Sequence, residues 1–148
     1  PEIMGVELTV YDLEEHCAGT MDYLFKIKAG EYMIAGAKAL KLEGGIYVAD
    51  LKSGNWLDET AELQTATYGI CWEKMFRGTE GYEEIKGTLV IHTNASTKKG
   101  IEGLTTVFSD REKVMLDYDD FKSTHRVWRR KFGSSKPNTM EFPVELSL

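Results

Sequence analysis

Glu73 is the titratable side chain whose setting invites chemistry first, because it follows the apolar run Ile70-Cys71-Trp72. Read as a β-strand over residues 67–76, alternation places Glu73 on one face with Cys71 and Gly69, and Ile70 and Trp72 on the other. A carboxyl on a pocket-lining face is partly desolvated, which raises its pKa and suits it to proton transfer near neutral pH. A strand over 123–131 carries His125 and Arg129 on the same side, an acid–base group beside a guanidinium able to hold a carboxylate. Each also has a purely structural reading: a solvated strand-end glutamate, a hydrogen-bonded wall histidine, an arginine paired with acidic neighbours.

Other groupings fall short of a site. His16-Cys17 supplies two zinc-ligand types, but no further His or Cys lies near them in sequence, and zinc needs three or four ligands. Asp117, Asp119 and Asp120 lack the spacing and the closing glutamate of a calcium loop. There is no serine nucleophile elbow, phosphate-binding loop or dinucleotide fingerprint. Pro1 precedes no β-α pattern that would mark it as a catalytic amine. The expectation is therefore a site that uses no metal and no organic cofactor.

The elements that must position these residues read as strands. Residues 6–11 alternate apolar and polar, 21–28 and 31–42 are β-rich, and 46–49 follows the turn Glu43-Gly44-Gly45. Lys52-Ser53-Gly54-Asn55 reads as another turn, with a strand opening at Trp56 and running near 61–64. The stretches 67–76, 83–93, 104–109, 113–116 and 123–131 complete the set, with a loop over 94–100. Residues 132–148 read as a C-terminal loop with a short strand at 141–146, and short helices are expected at 12–18 and 117–122. Turn signals every eight to twelve residues and nine or ten strands predict an all-β fold, an antiparallel barrel whose closure removes exposed edges. A single domain spanning 1–148 is expected, since no linker or repeat divides the chain.

Composition sets the remaining expectations. The net charge is −6, and apart from Arg126, Arg129, Arg130 and Lys131 the cations are scattered, which argues against nucleic acid as a partner. No apolar run is long enough to span a bilayer, so no membrane partner is expected. The start of the chain lacks a basic stretch followed by an apolar one, which points to the cytoplasm and to Cys17 and Cys71 as free thiols.

Several segments, in order, carry a resemblance. Val10-Tyr11-Asp12, residues 22–28, Gly54-Asn55-Trp56, residues 68–73 and Lys86-Gly87-Thr88-Leu89 resemble the strands of the bacterial phenolic acid decarboxylases. The strand from Tyr68 to Trp72 is also similar to the calycin-like domain of MoaF-type proteins. The likeness covers residues 8–92 and implies a lipocalin-like (calycin) barrel, a homodimer, and cofactor-free decarboxylation of an aromatic acid. It would make Glu73 and Tyr11 catalytic and place Thr9 and Asn55 in the pocket; Tyr23, Cys71, His125 and Arg129 are further residues expected around the substrate. Two positions depart from the family: a pocket tyrosine falls at Thr9 and a pocket arginine at Asn55, and asparagine cannot supply the missing charge. The expected function is a metal-independent lyase or isomerase acting on a small aromatic or apolar molecule. The alternatives are a non-catalytic binder of such a molecule, and an interaction domain whose barrel is filled by its own side chains.

Overall fold

In the computed structural model the described residues are 1–33, 39–53, 57–58, 60–95 and 103–133, with the side chains of 94 and 95 left aside. The elements run β1 (Glu2–Asp12), β2 (Cys17–Ile27), β3 (Gly30–Tyr32), β4 (Leu40–Leu42), β5 (Gly45–Lys52), α1 (Ala61–Phe76), β6 (Ile85–Ala95), β7 (Gly103–Asp110) and α2 (Arg111–Phe132). Five strands form one open sheet in the order β1-β2-β5-β6-β7, and β3 pairs with β4 in a separate ribbon. The fold is therefore mixed α/β, and the expected all-β closed barrel is overturned by these two helices and the open sheet.

Neighbouring strands run antiparallel except at the centre, where β5 and β6 are parallel. A parallel pair needs a crossover, and α1 supplies it. Its sequence hides this. Thr65, Thr67, Tyr68, Ile70, Cys71 and Trp72 are residue types enriched in strands. Yet α1 packs against both the sheet and α2 and buries Ala61, Thr65, Ala66, Thr67, Gly69, Ile70, Cys71, Trp72 and Glu73, positions spread around the helix. Buried positions spread so widely around a helix leave no clear 3.6-residue periodicity, and the strand reading of 61–64 and 67–76 fails for that reason. Its threonines cost no unpaired hydroxyl, since Thr65 Oγ1 donates to Ala61 O at 2.8 Å and Thr67 Oγ1 to Leu63 O at 2.7 Å. Gly69 lets the helix lie close on the sheet: a Cβ there would stand 2.4 Å from Ile85 Cδ1.

The strand readings of 113–116 and 123–131 also give way to helix, while 117–122 is helical as expected but lies inside the longer α2. Asp110 caps α2, its carboxylate accepting from Lys113 N at 2.9 Å. Glu112 in the first turn and Arg129, Arg130 and Lys131 in the last turn complement the helix dipole. Residues 12–18 form a hairpin turn between β1 and β2 instead of a helix. Asp12 Oδ1 accepts from Glu14 N at 2.9 Å, and the exposed His16 takes a positive φ of 54°.

The two helices cover one sheet face, over a core of Val10, Met21, Leu24, Ile46, Val48, Ala66, Ile70, Cys71, Trp72, Ile85, Val114 and Tyr118. On a second cluster Ile27, Leu42 and Tyr47 pack with Phe25, Tyr32, Leu40 and Phe108, which brings the β3–β4 ribbon against the sheet. Among the described residues no helix is long and apolar enough to cross a membrane. The expected strand at 141–146 lies outside the described residues.

Candidate functional site

Two of the buried carboxylates, one on α1 and one on the sheet, differ in their surroundings. Glu73, 1% exposed, lies inside α1 and not at a strand end. Its oxygens accept from Ile85 N at 2.8 Å, Arg111 Nη1 at 2.6 Å and Arg111 Nη2 at 3.0 Å. This two-pronged arginine pair with an added backbone donor ties α1 to the starts of β6 and α2. The carboxylate faces partners and not a cavity, so the geometry supports a structural role for it.

Asp50, 3% exposed, lies near the C-terminal end of β5, two residues before Lys52. Spacing of two puts both side chains on one face of the strand, the face that Ile46 and Val48 bury beneath α1. The β2–β5 register pairs Tyr23 with Ala49, and Asp22 follows where main-chain pairing ends. There the Asp22 side chain replaces the missing backbone acceptor: Oδ2 takes the Leu51 N–H at 2.7 Å. The Asp22 carboxylate is thereby fixed beside the residue that separates Asp50 from Lys52.

Lys52 Nζ lies 2.7 Å from Asp50 Oδ2 and donates to Gln64 Oε1 at 2.7 Å. Gln64 Nε2 in turn donates to Tyr68 Oη at 2.7 Å. Gln64 and Tyr68 are four apart on α1 and so share one face of its first turns. Tyr68 is pressed against β2 at Gly19, where a Cβ would stand 2.3 Å from the ring. Strand and helix thus share one polar chain, Asp50, Lys52, Gln64 and Tyr68, with the Asp22 carboxylate of β2 as a neighbouring charge.

Asp50 is not satisfied by this chain. Burial raises its carboxyl above the ordinary value; Lys52 opposes that shift, and the charge of Asp22 adds to it. Oδ2 is buried and, although close to the Lys52 ammonium, has no hydrogen bond of good geometry. Tyr82 Oη and Asp117 Oδ2 share that condition. Asp50 differs in having the Asp22 carboxylate as a neighbour and, through Lys52, a link to the exposed Gln64. Asp22 and Asp50 are two like charges beside a single ammonium, Lys52, which makes a place where a further cation is stabilising. Among the described residues no group of three or more His, Cys, Asp or Glu side chains converges as a metal cage. Mg²⁺ does not need one, because it takes one or two carboxylates and fills its other positions with water and phosphate oxygens.

A groove of about 410 Å³ opens beside Gln64 and Tyr68, lined also by Cys17, Leu63, Cys71 and Phe121. Cys17 and Cys71 are free thiols with Sγ atoms 3.8 Å apart, and burial pushes both thiols up from their ordinary pKa.

The residues expected to form one pocket are dispersed. Thr9 and Tyr11 are exposed on β1, and the Tyr11 N–H points to Met75 Sδ at 3.3 Å. Tyr23 is half-buried on β2, between Val6 and Ala49. Cys71 lines the groove just described. His125 and Arg129 lie on α2, a helix and not a strand, where both border a shallow depression with Glu15. Asn55 lies outside the described residues. Asp22, Asp50, Lys52, Gln64 and Tyr68 were not singled out by sequence. The signal that could have found them is an acid and a lysine two apart, directly after the buried run 45–49.

Comparison with models of known protein families finds none that matches this chain, and comparison with curated proteins finds no match either.

Proposed function

We propose that the chain is a divalent-cation-dependent phosphodiesterase acting on nucleic acid, with Asp22, Asp50 and Lys52 at its centre. The observation that supports this reading most is the meeting of the Asp22 and buried Asp50 carboxylates beside one lysine, Lys52. Asp22 and Asp50 are hard oxygen donors of the kind that hold Mg²⁺ or Mn²⁺. When bound, such an ion polarises a phosphoryl oxygen and activates water.

This chain's residues do the rest. The Lys52 ammonium, oriented by Asp50 and Gln64, offers positive charge to a non-bridging phosphate oxygen as negative charge grows there. Gln64 and Tyr68 hold that ammonium in place and mark the edge where a substrate approaches. In the reaction a water oxygen bonds to phosphorus, one P–O ester bond breaks, and the leaving alkoxide gains a proton while the attacking water loses one. The location also suits the fold, since ligands of open α/β sheets gather at the carboxyl ends of parallel strands. This reading departs from the expectation of a metal-free lyase, which relied on Glu73, whose oxygens are taken up by Arg111 and Ile85, and from the expectation of no nucleic-acid partner, which rested on the net charge of −6 and the scattered cations.

The test has two arms. A 5′-labelled single-stranded oligonucleotide is incubated with Mg²⁺ or Mn²⁺ and with a chelator, for the parent and for Asp50→Asn. Mn²⁺ binding is followed separately by electron paramagnetic resonance. Cleavage that needs the cation and is lost in the variant, with weakened Mn²⁺ binding, is the expected result. Cleavage that survives the chelator, or Mn²⁺ binding that is unchanged in Asp22→Asn and Asp50→Asn, would overturn the reading.

A further inference from the structure

α2 carries a feature that the sheet-end site does not use. Tyr118, Phe121, His125, Trp128 and Phe132 recur at spacings of three and four, so their rings fall on one seam of the helix. They are stacked or tilted in sequence, with centroids 6.3, 5.3, 6.2 and 5.9 Å apart. The ladder begins in the core at Tyr118 and emerges into solvent, where Trp128 is 54% exposed and Phe132 41%. Arg126, Arg129, Arg130 and Lys131 flank its outer half, and residues 123–133 contain no acid. Glu15, from the β1–β2 turn, is the acid that shares the depression bordered by His125, Arg126, Arg129 and Arg130.

The helix dipole accounts for cations in the last turn, but not for an exposed row of rings between them. Two occupants could cover such a seam. A second copy of the chain would bring its own seam against this one. The positions next to the seam, Arg129 and Lys131, would then face Arg129 or Lys131 of the other copy in either orientation, and like charges there repel. A polyanion instead neutralises them. Rings that stack on bases with cations beside them for phosphates are the means by which single strands are held without sequence preference. The seam also leads to the groove at the candidate site, because Phe121 and Thr124 line that groove together with Gln64 and Tyr68.

We propose that the exposed seam of α2, residues 121–132, is a binding track for single-stranded nucleic acid that leads the strand to the Asp22–Asp50–Lys52 site. The inference rests on the phosphodiesterase reading for its direction, and its test separates the two. Bases stack on Trp128 and Phe132, Arg126, Arg129 and Arg130 take phosphates, and the strand reaches the groove past Phe121.

The probe is a fluorescein-labelled 15-mer of deoxythymidylate, its binding to the full chain followed by anisotropy in chelator so that nothing is cut. Trp128→Ala should weaken binding about tenfold, the scale of one lost base–aromatic stack. Arg129→Gln with Arg130→Gln should weaken it further and flatten the slope of log affinity against log salt by about 1.4. Both changes are on exposed positions, and circular dichroism confirms that the fold is kept. Hydrolysis of bis(p-nitrophenyl) phosphate, too small to reach α2, should be unchanged in the same variants.

Equal binding by parent and variants overturns the track while leaving the phosphodiesterase reading intact. Absence of hydrolysis in the parent, with binding that falls in the α2 variants, supports the track and sinks the hydrolytic reading. A concentration-dependent dimer that Trp128→Ala dissolves, in a parent that does not bind the oligonucleotide, assigns the seam to a second copy and overturns the proposal.

Discussion

Two buried carboxylates, Glu73 on α1 and Asp50 on β5, are opposites in how they are treated. Glu73 receives two guanidinium donors and one backbone donor. Asp50 is left with a poorly bonded oxygen, a carboxylate neighbour and a single lysine. Burial alone therefore does not identify a functional acid. A saturated carboxylate holds elements together, while an unsaturated one beside a like charge costs stability and is explained by what it could bind.

The sharpest test of that contrast is Asp50→Asn. Cleavage should fall about a thousandfold, the loss of several kcal/mol of charge stabilisation at the reacting phosphate. The same change should raise stability at neutral pH by about 1 kcal/mol, as removal of an ill-satisfied buried charge does. The sign follows from burial, which holds the Asp50 carboxyl above its unfolded value. A raised acid favours the fold while protonated, and that contribution is lost as pH rises through the folded pKa. Parent and variant should thus have similar denaturant midpoints below about pH 3 and diverge toward pH 7. A variant that is less stable at pH 7 would erase the distinction between the two sites.

Arg111→Ala applies the opposite test. It leaves Glu73 buried without its guanidinium, and stability measured by urea should drop by about 3 kcal/mol. Turnover per folded molecule should stay within about twofold, as expected for a residue remote from the reacting atoms. The pair Glu73→Leu with Arg111→Met should recover much of the loss. A hundredfold fall in turnover of folded Arg111→Ala would return Glu73 to the chemistry.

Asp12 is a third buried carboxylate and falls on the structural side. It accepts from Lys74 Nζ at 2.6 Å and Tyr118 Oη at 3.0 Å, joining the β1–β2 turn to both helices. Burial pushes its carboxyl up, but those hydrogen bonds and the turn amides outweigh burial and hold it below its ordinary value. Its stabilisation is present above the unfolded pKa and lost as pH falls through the folded one. Asp12→Asn should cost about 1–2 kcal/mol at pH 7 and flatten the acid limb of the unfolding profile. An unchanged acid limb would remove Asp12 from this class.

The smallest effect belongs to Tyr68→Phe, which removes the last hydroxyl of the Lys52–Gln64–Tyr68 chain. About a fivefold loss of turnover is expected, the worth of one hydrogen bond. No loss at all would show that Lys52 needs no support from α1.

The sequence showed the sheet better than the helices. β1, β2, β5, β6 and β7 coincide with expected strands because alternation and short apolar runs report a half-buried or buried sheet directly. α1 was illegible as a helix because its buried positions are spread around it and it is rich in Thr, Tyr, Ile and Trp, and tertiary packing overrides those propensities. α2 did carry a readable signal, the three-four spacing of Tyr118, Phe121, His125, Trp128 and Phe132, which the eye for alternation passes over. With those strands turned to helices the barrel disappears, and with it the shared interior of Thr9, Tyr11, Glu73 and Arg129. The site was hidden for a different reason. Asp22 and Asp50 lie on adjacent strands 28 positions apart, and only the register of β2 on β5 makes them neighbours.

The single parallel pair at the middle of the sheet has a consequence for when this protein can first work. The hairpin of β1 and β2 closes a short loop and can form early during synthesis, carrying Asp22. Asp50 and Lys52 emerge next, yet β5 lacks its second neighbour until α1 and then β6 have left the ribosome. Strand exchange across a helical crossover is a non-local step and a slow one. A nascent chain therefore displays its acidic pair before the amide and phenol of α1 arrive to orient Lys52. Competence should switch on abruptly, once residues beyond 92 are free to dock, instead of growing with chain length.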